Sequence, residues 1–218
     1  MSKSRRRYAM SRKKKNILLL MFFFFVVPTL IVIDRWGGVS LRDTVRRNLY
    51  AGQDWKKYHK RSFRVEKVID GDTIDLAIPD ANYLTTRVRL LGVDTPETKN
   101  PKTDVMYFGP EASGFTRKLC ENQQVTVLLD TVADQRDKYG RLLAYIRLPD
   151  GSILNERLVV EGYGYADSRF EHSFYDKYAQ SQEQTIREKK GLWEKVNRSQ
   201  FPDWLRHRRP ELLRTPKL

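Results

Sequence analysis

Three short stretches carry the residues whose types and spacing could do chemistry. The first, VIDGDT at 68–73, sets Asp70 and Asp72 about a glycine at a chain reversal. Carboxylate oxygens so placed suit a hard cation such as Ca²⁺. Asp-Gly-Asp is equally a good turn, because these residues supply turn geometry by themselves. The second, RLLGVDTPET at 89–98, carries Arg89, Asp94, Thr95 and Glu97, with Pro96 stiffening the backbone. An arginine can clamp a phosphate in bidentate fashion. A glutamate can orient or deprotonate a water. A cation on Asp72 and Asp94 could neutralise a phosphoryl oxygen. The plainer alternative is an Arg–Glu surface pair, which stabilises little. In the third, DKYGRLLAYI at 137–146, Arg141 could bring a second positive charge to a developing phosphorane, and Lys138 and Tyr139 could hold a terminal phosphate. The same text also serves as a hairpin turn, so the chemical reading needs all three stretches together.

These residues need elements to position them, and the pattern around them is strand-like. FRVEKVI (63–69) and TIDLAI (73–78) alternate apolar and polar residues, TRVRLLGV (86–93) continues after a turn at PDANY (79–83), and QVTVLLD (124–130) and LLAYIRL (142–148) follow. Five short strands separated by turns predict a small closed or nearly closed barrel. Helical spacing marks about three helices, over 109–123, 155–162 and 171–190, so the class is α+β, mainly β. Their apolar stripes read as core. Hydrophobic residues make up 40% of the 218, enough to pack that core.

Composition excludes other chemistries. With one cysteine, Cys120, neither an internal disulfide nor a cysteine cluster for zinc or iron–sulfur is possible. Three histidines, His59, His172 and His207, do not make a multi-histidine site. The net charge of +14 is unevenly spread: +8 over 1–15, +4 over 16–60, −3 over 61–194 and +5 over 195–218. The chemistry-bearing segment is therefore slightly acidic, and the basic charge lies in the flanks.

Residues 17–33 form an uncharged run of seventeen, about 26 Å long as a helix against ~30 Å of hydrocarbon. The basic head before it and the lack of a small-residue cleavage motif after it predict a signal-anchor, with a cleaved signal as the competing reading. The expected organisation is a cytoplasmic basic head over 1–15, one transmembrane helix over 16–34, a linker over 35–60, the folded domain over 61–194 and a basic extension outside the barrel over 195–218. The positive-inside rule then places the domain outside the cytoplasm, or free in the medium if the head is cleaved.

VIDGDT, RLLGVDTPET, YFGPEAS (107–113), DKYGRLLAYI, LNERLVVEG (154–162) and KKGLW (189–193), in collinear order, resemble the staphylococcal nuclease (thermonuclease) family from about Phe63 to Trp193. The resemblance implies an OB-type five-stranded barrel and calcium-dependent hydrolysis of DNA and/or RNA to 3′-phosphate ends. It implies Asp72, Asp94 and the Thr95 carbonyl as calcium ligands, Glu97 as general base, Arg89 and Arg141 as transition-state donors, and Lys138 and Tyr139 as phosphate contacts. For one further phosphate-contact tyrosine the text diverges, leaving Tyr163 and Tyr165 as candidates. A domain of this type acting as a monomer needs no obligate protein partner; its expected partners are nucleic acid and, through 17–33, a membrane. The alternative is a catalytically weak nucleic-acid-binding module of the same fold.

Overall fold

The computed structural model describes residues 52–98 and 105–210, with Lys13 alone ahead of them. The apolar run, the basic head, most of the linker and the last eight residues lie outside the described residues, and so does the expected transmembrane helix. No helix among the described residues is long and apolar enough to cross a membrane.

The strand-like runs pair as a closed barrel. Strands β1 (Arg61–Asp70), β2 (Thr73–Leu76), β3 (Thr86–Leu90), β5 (Gln124–Leu128) and β6 (Leu142–Arg147) close in the order β1-β2-β3-β6-β5. All pairings are antiparallel except β3 with β6. Two register shifts in β1, one between Val65 and Lys67 and one between Val68 and Asp70, bend that strand as closure of a small sheet requires. Val65, Val68, Ile74, Leu76, Val88, Leu90, Val125, Val127, Leu142 and Ile146 fill the interior.

Helices α1 (Gly109–Cys120), α2 (Leu154–Val160) and α3 (Tyr175–Arg187) match the three expected helices within a few residues at each end. Asn155, fully buried on α2, fastens the lip of the barrel: its amide donates to Leu91 O (2.9 Å) and Ala144 O (3.1 Å) and accepts from Ile146 N (3.0 Å). All its hydrogen-bonding capacity but one lone pair is thus used by backbone, which holds the end of β3 against β6.

Two findings extend the folded unit beyond the expected 61–194. A helical segment over 52–58, read from sequence as linker, buries Tyr58 completely against the barrel, and Asp54 receives two bonds from Arg136 (2.6 and 2.7 Å). At the other end the expected extension packs rather than trailing away. Phe201 and, on α4 (Asp203–Arg208), Leu205 join Tyr165, Leu192 and Trp193 in a second apolar cluster. Its basic composition concealed this, because two buried apolar residues, helped by the partly buried Val196 and Trp204, suffice to dock the segment.

A short pair, β4 (Val93–Asp94) with β7 (Tyr165–Ala166), was not foreseen; two residues are too few to show alternation. Gly92 joins β3 to β4 with φ +75°, and a Cβ there would lie 2.3 Å from the buried His172 ring, so glycine is required twice over.

Beneath this lip lies a buried polar network. Asp130 accepts from Val132 N, Tyr145 OH, Ser173 N and Ser173 OH, all at 2.7 Å. Burial opposes its charge, but these donors outweigh burial and hold its carboxyl at about 2. A depressed carboxylate stabilises the fold above its unfolded value near 4, and that contribution is lost as pH falls towards 2. Asp130→Ala is expected to cost about 3 kcal/mol by urea unfolding at pH 7, since it orphans charge-assisted partners. The deficit should shrink as the wild type is titrated below pH 4; a constant deficit would contradict the assigned cause.

Candidate active site

Strand parity selects the outward side chains. In β3, Thr86, Val88 and Leu90 point inward, and Arg87 and Arg89 point out. Arg87 is spent on Asp75, which it grips with two bonds of 2.9 Å. Arg89 instead reaches over the lip, where its Nη1 donates to Val93 O (2.7 Å) and lies 2.9 Å from Asp72 Oδ2, while Nη2 pairs with Asp94 Oδ1. One guanidinium thus sits between two carboxylates that are 22 positions apart in the chain. Burial works against the charge of Arg89, but Asp72, Asp94 and Asp167 together outweigh it and hold its pKa above the usual value. Burial raises Asp72 above the ordinary carboxylate range against the pull of Arg89, and Asp94 adds to the rise.

The turn carrying Asp72 is built for this contact. Asp70 Oδ1 accepts from Gly71 N (2.8 Å), Thr98 OH (2.9 Å) and Ser113 OH (2.9 Å), tying the turn to both the 95–98 segment and α1. Thr116 OH closes the far side on Gly71 O at 2.6 Å. Thr95 crosses so near that a Cβ on Gly71 would meet its Oγ1 at 2.7 Å. Thr95 in turn donates from its backbone N (2.8 Å) and its hydroxyl (3.1 Å) to Asp72 Oδ2. The Asp-Gly-Asp reversal is therefore both a turn and part of the site, and Asp70 is a structural anchor that its sequence context did not reveal.

Glu97 stands two residues beyond Thr95 and reaches solvent. Desolvation on its inner side, with the charges of Asp70, Asp72 and Asp94, pushes its carboxyl up to about 7. A group poised there can take a proton from water near neutrality.

Arg141 arrives by register. Arg89 pairs with Leu143 across the parallel β3–β6 contact, so Arg141, two residues earlier, falls on the same outer face. Its backbone neighbours place it roughly 8 Å from Arg89, from strand rise and spacing. Asp137 holds its Nε at 2.6 Å. Lys138 and Tyr139 ride the exposed turn beside it, with Tyr139 73% exposed and the Lys138 ammonium 5.0 Å from its ring. The structure thus joins Asp72, Arg89, Asp94 and Thr95 by direct contact, sets Glu97 within their field, and leaves Arg141, Lys138 and Tyr139 at the rim.

The two tyrosine candidates are packed. Tyr163 stacks on Phe115 with ring centroids 4.0 Å apart, and Tyr165 is buried against Trp193 (5.6 Å) and Phe201 (6.0 Å). Tyr165 is therefore enclosed, while Tyr163 remains partly exposed beside α1.

Sequence reasoning missed two partners of Asp94. Arg169 Nη2 donates to Asp94 Oδ1 at 2.8 Å, and the Trp204 indole donates to Oδ2 at 2.7 Å. No local motif signals either one, since both reach Asp94 through the β4–β7 pair and the docked α4.

Among the described residues no three His, Cys, Asp or Glu side chains converge as a ready metal cage. The oxygen-only set of Asp72, Asp94 and the Thr95 carbonyl nonetheless suits a hard cation, whose remaining ligands are commonly waters and substrate oxygens. Arg89 and Arg169 already lie against these carboxylates, so a bound cation would share them with the two guanidinium groups.

Comparison with known proteins places this geometry. A family model described as staphylococcal nuclease homologue matches residues 87–195. The thermonuclease of Staphylococcus intermedius is 42% identical over 141 residues, spanning 62% of this chain and 77% of its own. That of Staphylococcus hyicus is 38% identical over 136 residues, with the same coverage of 62% and 77%. The endonuclease YncB of Bacillus subtilis is 34% identical over 149 residues, 66% of this chain and 68% of its own. The barrel, the order of its motifs and these relatives agree: the chain belongs to the staphylococcal nuclease family.

Proposed function

We propose that the protein is a calcium-dependent nuclease that hydrolyses phosphodiester bonds of DNA and/or RNA to 3′-phosphate ends. The observation that carries this reading is the single guanidinium, Arg89, held between Asp72 and Asp94 at the barrel lip, with the exposed Glu97 on the segment that Thr95 ties to Asp72. Relatives named thermonuclease and endonuclease support it.

In this reading Asp72, Asp94 and the Thr95 carbonyl would hold Ca²⁺, which would supply positive charge to a phosphoryl oxygen. Glu97 accepts the proton of the attacking water and orients it towards phosphorus. Arg89 and Arg141 donate hydrogen bonds that strengthen as negative charge builds on the phosphorane. Lys138 and Tyr139 hold a neighbouring phosphate at the rim. The leaving group is the 5′ oxygen, so the products carry 3′-phosphate and 5′-hydroxyl ends. The uncharged run 17–33 tethers the enzyme to a membrane with its N-terminus cytoplasmic and its domain outside, or releases it into the medium if cleaved.

The test is cleavage of single-stranded DNA, duplex DNA and RNA by the full chain, with Ca²⁺ and with chelator. Cleavage that requires Ca²⁺ and leaves 5′ ends open to direct phosphorylation is the expected result. A folded, calcium-loaded chain that binds nucleic acid without cutting it would establish the binding-module alternative instead.

A further inference from the structure

Asp94 draws partners from unusually far along the chain. Trp204 lies 110 positions away, beyond the last residue matched to the family, and still donates its Nε1–H to Asp94 Oδ2 at 2.7 Å. Arg169, 75 positions away, donates to the other oxygen at 2.8 Å. The two donors are fastened to each other: the Arg169 guanidinium sits 4.6 Å from the Trp204 ring centroid, a cation–π distance.

Neither side chain is free to wander. Asp167 grips Arg169 twice, Nε to Oδ1 and Nη2 to Oδ2, both at 2.8 Å. Trp204, partly buried, packs against the second apolar cluster, in which its neighbour Leu205 is fully buried. At the far end of α4, Arg208 donates to Ser168 O (3.2 Å), so the helix is stitched to the loop that bears Arg169.

A carboxylate has about four lone-pair sites. Arg89, Arg169 and Trp204 occupy three of them on Asp94. The carboxylate plane is thereby set, with acceptor capacity left for a cation. A neutral indole N–H does this without adding a charge that would repel a metal, and the positive charge of Arg169 is offset by Asp167. Such donors behind a ligating carboxylate typically matter 10–100-fold for metal affinity.

We propose that Trp204, backed by Arg169, is a positioning residue for Asp94, which makes the C-terminal segment a working part of the calcium site. This rests on the calcium reading above. The experiment is calorimetric titration of Ca²⁺ into the full chain without nucleic acid, wild type against Trp204→Phe. Phenylalanine keeps the ring over Arg169 and removes only the donor. A Kd for Ca²⁺ raised about tenfold is the expected result. In parallel, the Trp204 indole N–H signal of the isotope-labelled wild type, assigned through its own backbone resonances, should shift along the Ca²⁺ titration with the calorimetric Kd.

A folded Trp204→Phe with unchanged or tighter Ca²⁺ binding overturns the assignment, since a purely structural tryptophan would alter thermal stability and not Kd. Should the variant fail to fold, an indole signal in the wild type that ignores Ca²⁺ overturns it equally. Absence of Ca²⁺ binding by the wild type would instead bring down the calcium reading and this inference with it.

Discussion

Replacing Arg89 with alanine is expected to lower kcat about 10²–10³-fold at saturating Ca²⁺, with KM changed much less. Arg89 is outward-facing by strand parity, yet its side chain is 12% exposed because the lip, the Asp72 turn and Asp94 close around it. Its donors are dehydrated and fixed on Val93 O, Asp72 and Asp94, so a phosphate engages them by displacing one of these contacts as charge develops. The same burial predicts a second effect. Without the guanidinium, Asp72 loses its ion pair while Asp94 keeps Arg169 and Trp204, and breaking a buried pair on one side costs about 3–5 kcal/mol. That loss should appear in chelator and be reduced by Ca²⁺, which binds the folded form and restores positive charge between the carboxylates. Arg89→Lys should recover stability better than turnover, because lysine keeps the charge and lacks the planar fork. Turnover at the wild-type level in folded Arg89→Ala would remove the residue from the chemistry.

Glu97→Gln should lower kcat by about 10²–10⁴-fold, the range for losing a positioned general base. The replacement is isosteric and removes a charge that desolvation and Asp70, Asp72 and Asp94 disfavour, so in chelator Glu97→Gln should be at least as stable as the wild type, and its advantage should grow as pH rises from about 5 to about 8. Ca²⁺ affinity measured without nucleic acid separates this residue from the ligands: Glu97→Gln should retain it, and Asp94→Ala should not. A Glu97→Gln enzyme that cuts at the wild-type rate would assign proton transfer elsewhere, and one that loses Ca²⁺ would make Glu97 a ligand and not a base.

The two variants probe different parts of one arrangement. Arg89 belongs to the rigid barrel, on a strand paired on both sides with β2 and β6. Glu97 belongs to the segment leaving β4, anchored through Thr95 to Asp72 and through Thr98 to Asp70. Proline at 96 limits the freedom of the backbone between these two anchors. A base on a short, doubly anchored segment can be held near the reacting water without being buried.

Much of this was readable from local pattern. Period-two alternation in TRVRL sets Val88 inward and Arg89 outward, whatever the remainder of the chain does. Turn-forming residues mark where β1 gives way to β2, and residue types restrict the site to oxygen ligands and guanidinium donors. Other features were not legible because they depend on contacts between distant segments. Asp70 looks like any turn aspartate until Thr98 and Ser113 converge on it from elsewhere. Residues 52–58 look like linker until Tyr58 is seen against the barrel core.

What the sequence by itself determined is the inventory and its local orientation: the five strands, the glycine-bearing turns, and the arginines and carboxylates that the barrel lip must carry. Periodicity and turn preference are properties of a few adjacent residues, so they survive without knowledge of the whole. Only the tertiary structure decided that Asp94 would be clasped from Arg169 and Trp204, 75 and 110 positions away. Docking α4 depends on the shape left by Tyr165, Leu192 and Trp193 once the barrel has closed, and no run of neighbouring residues encodes that surface.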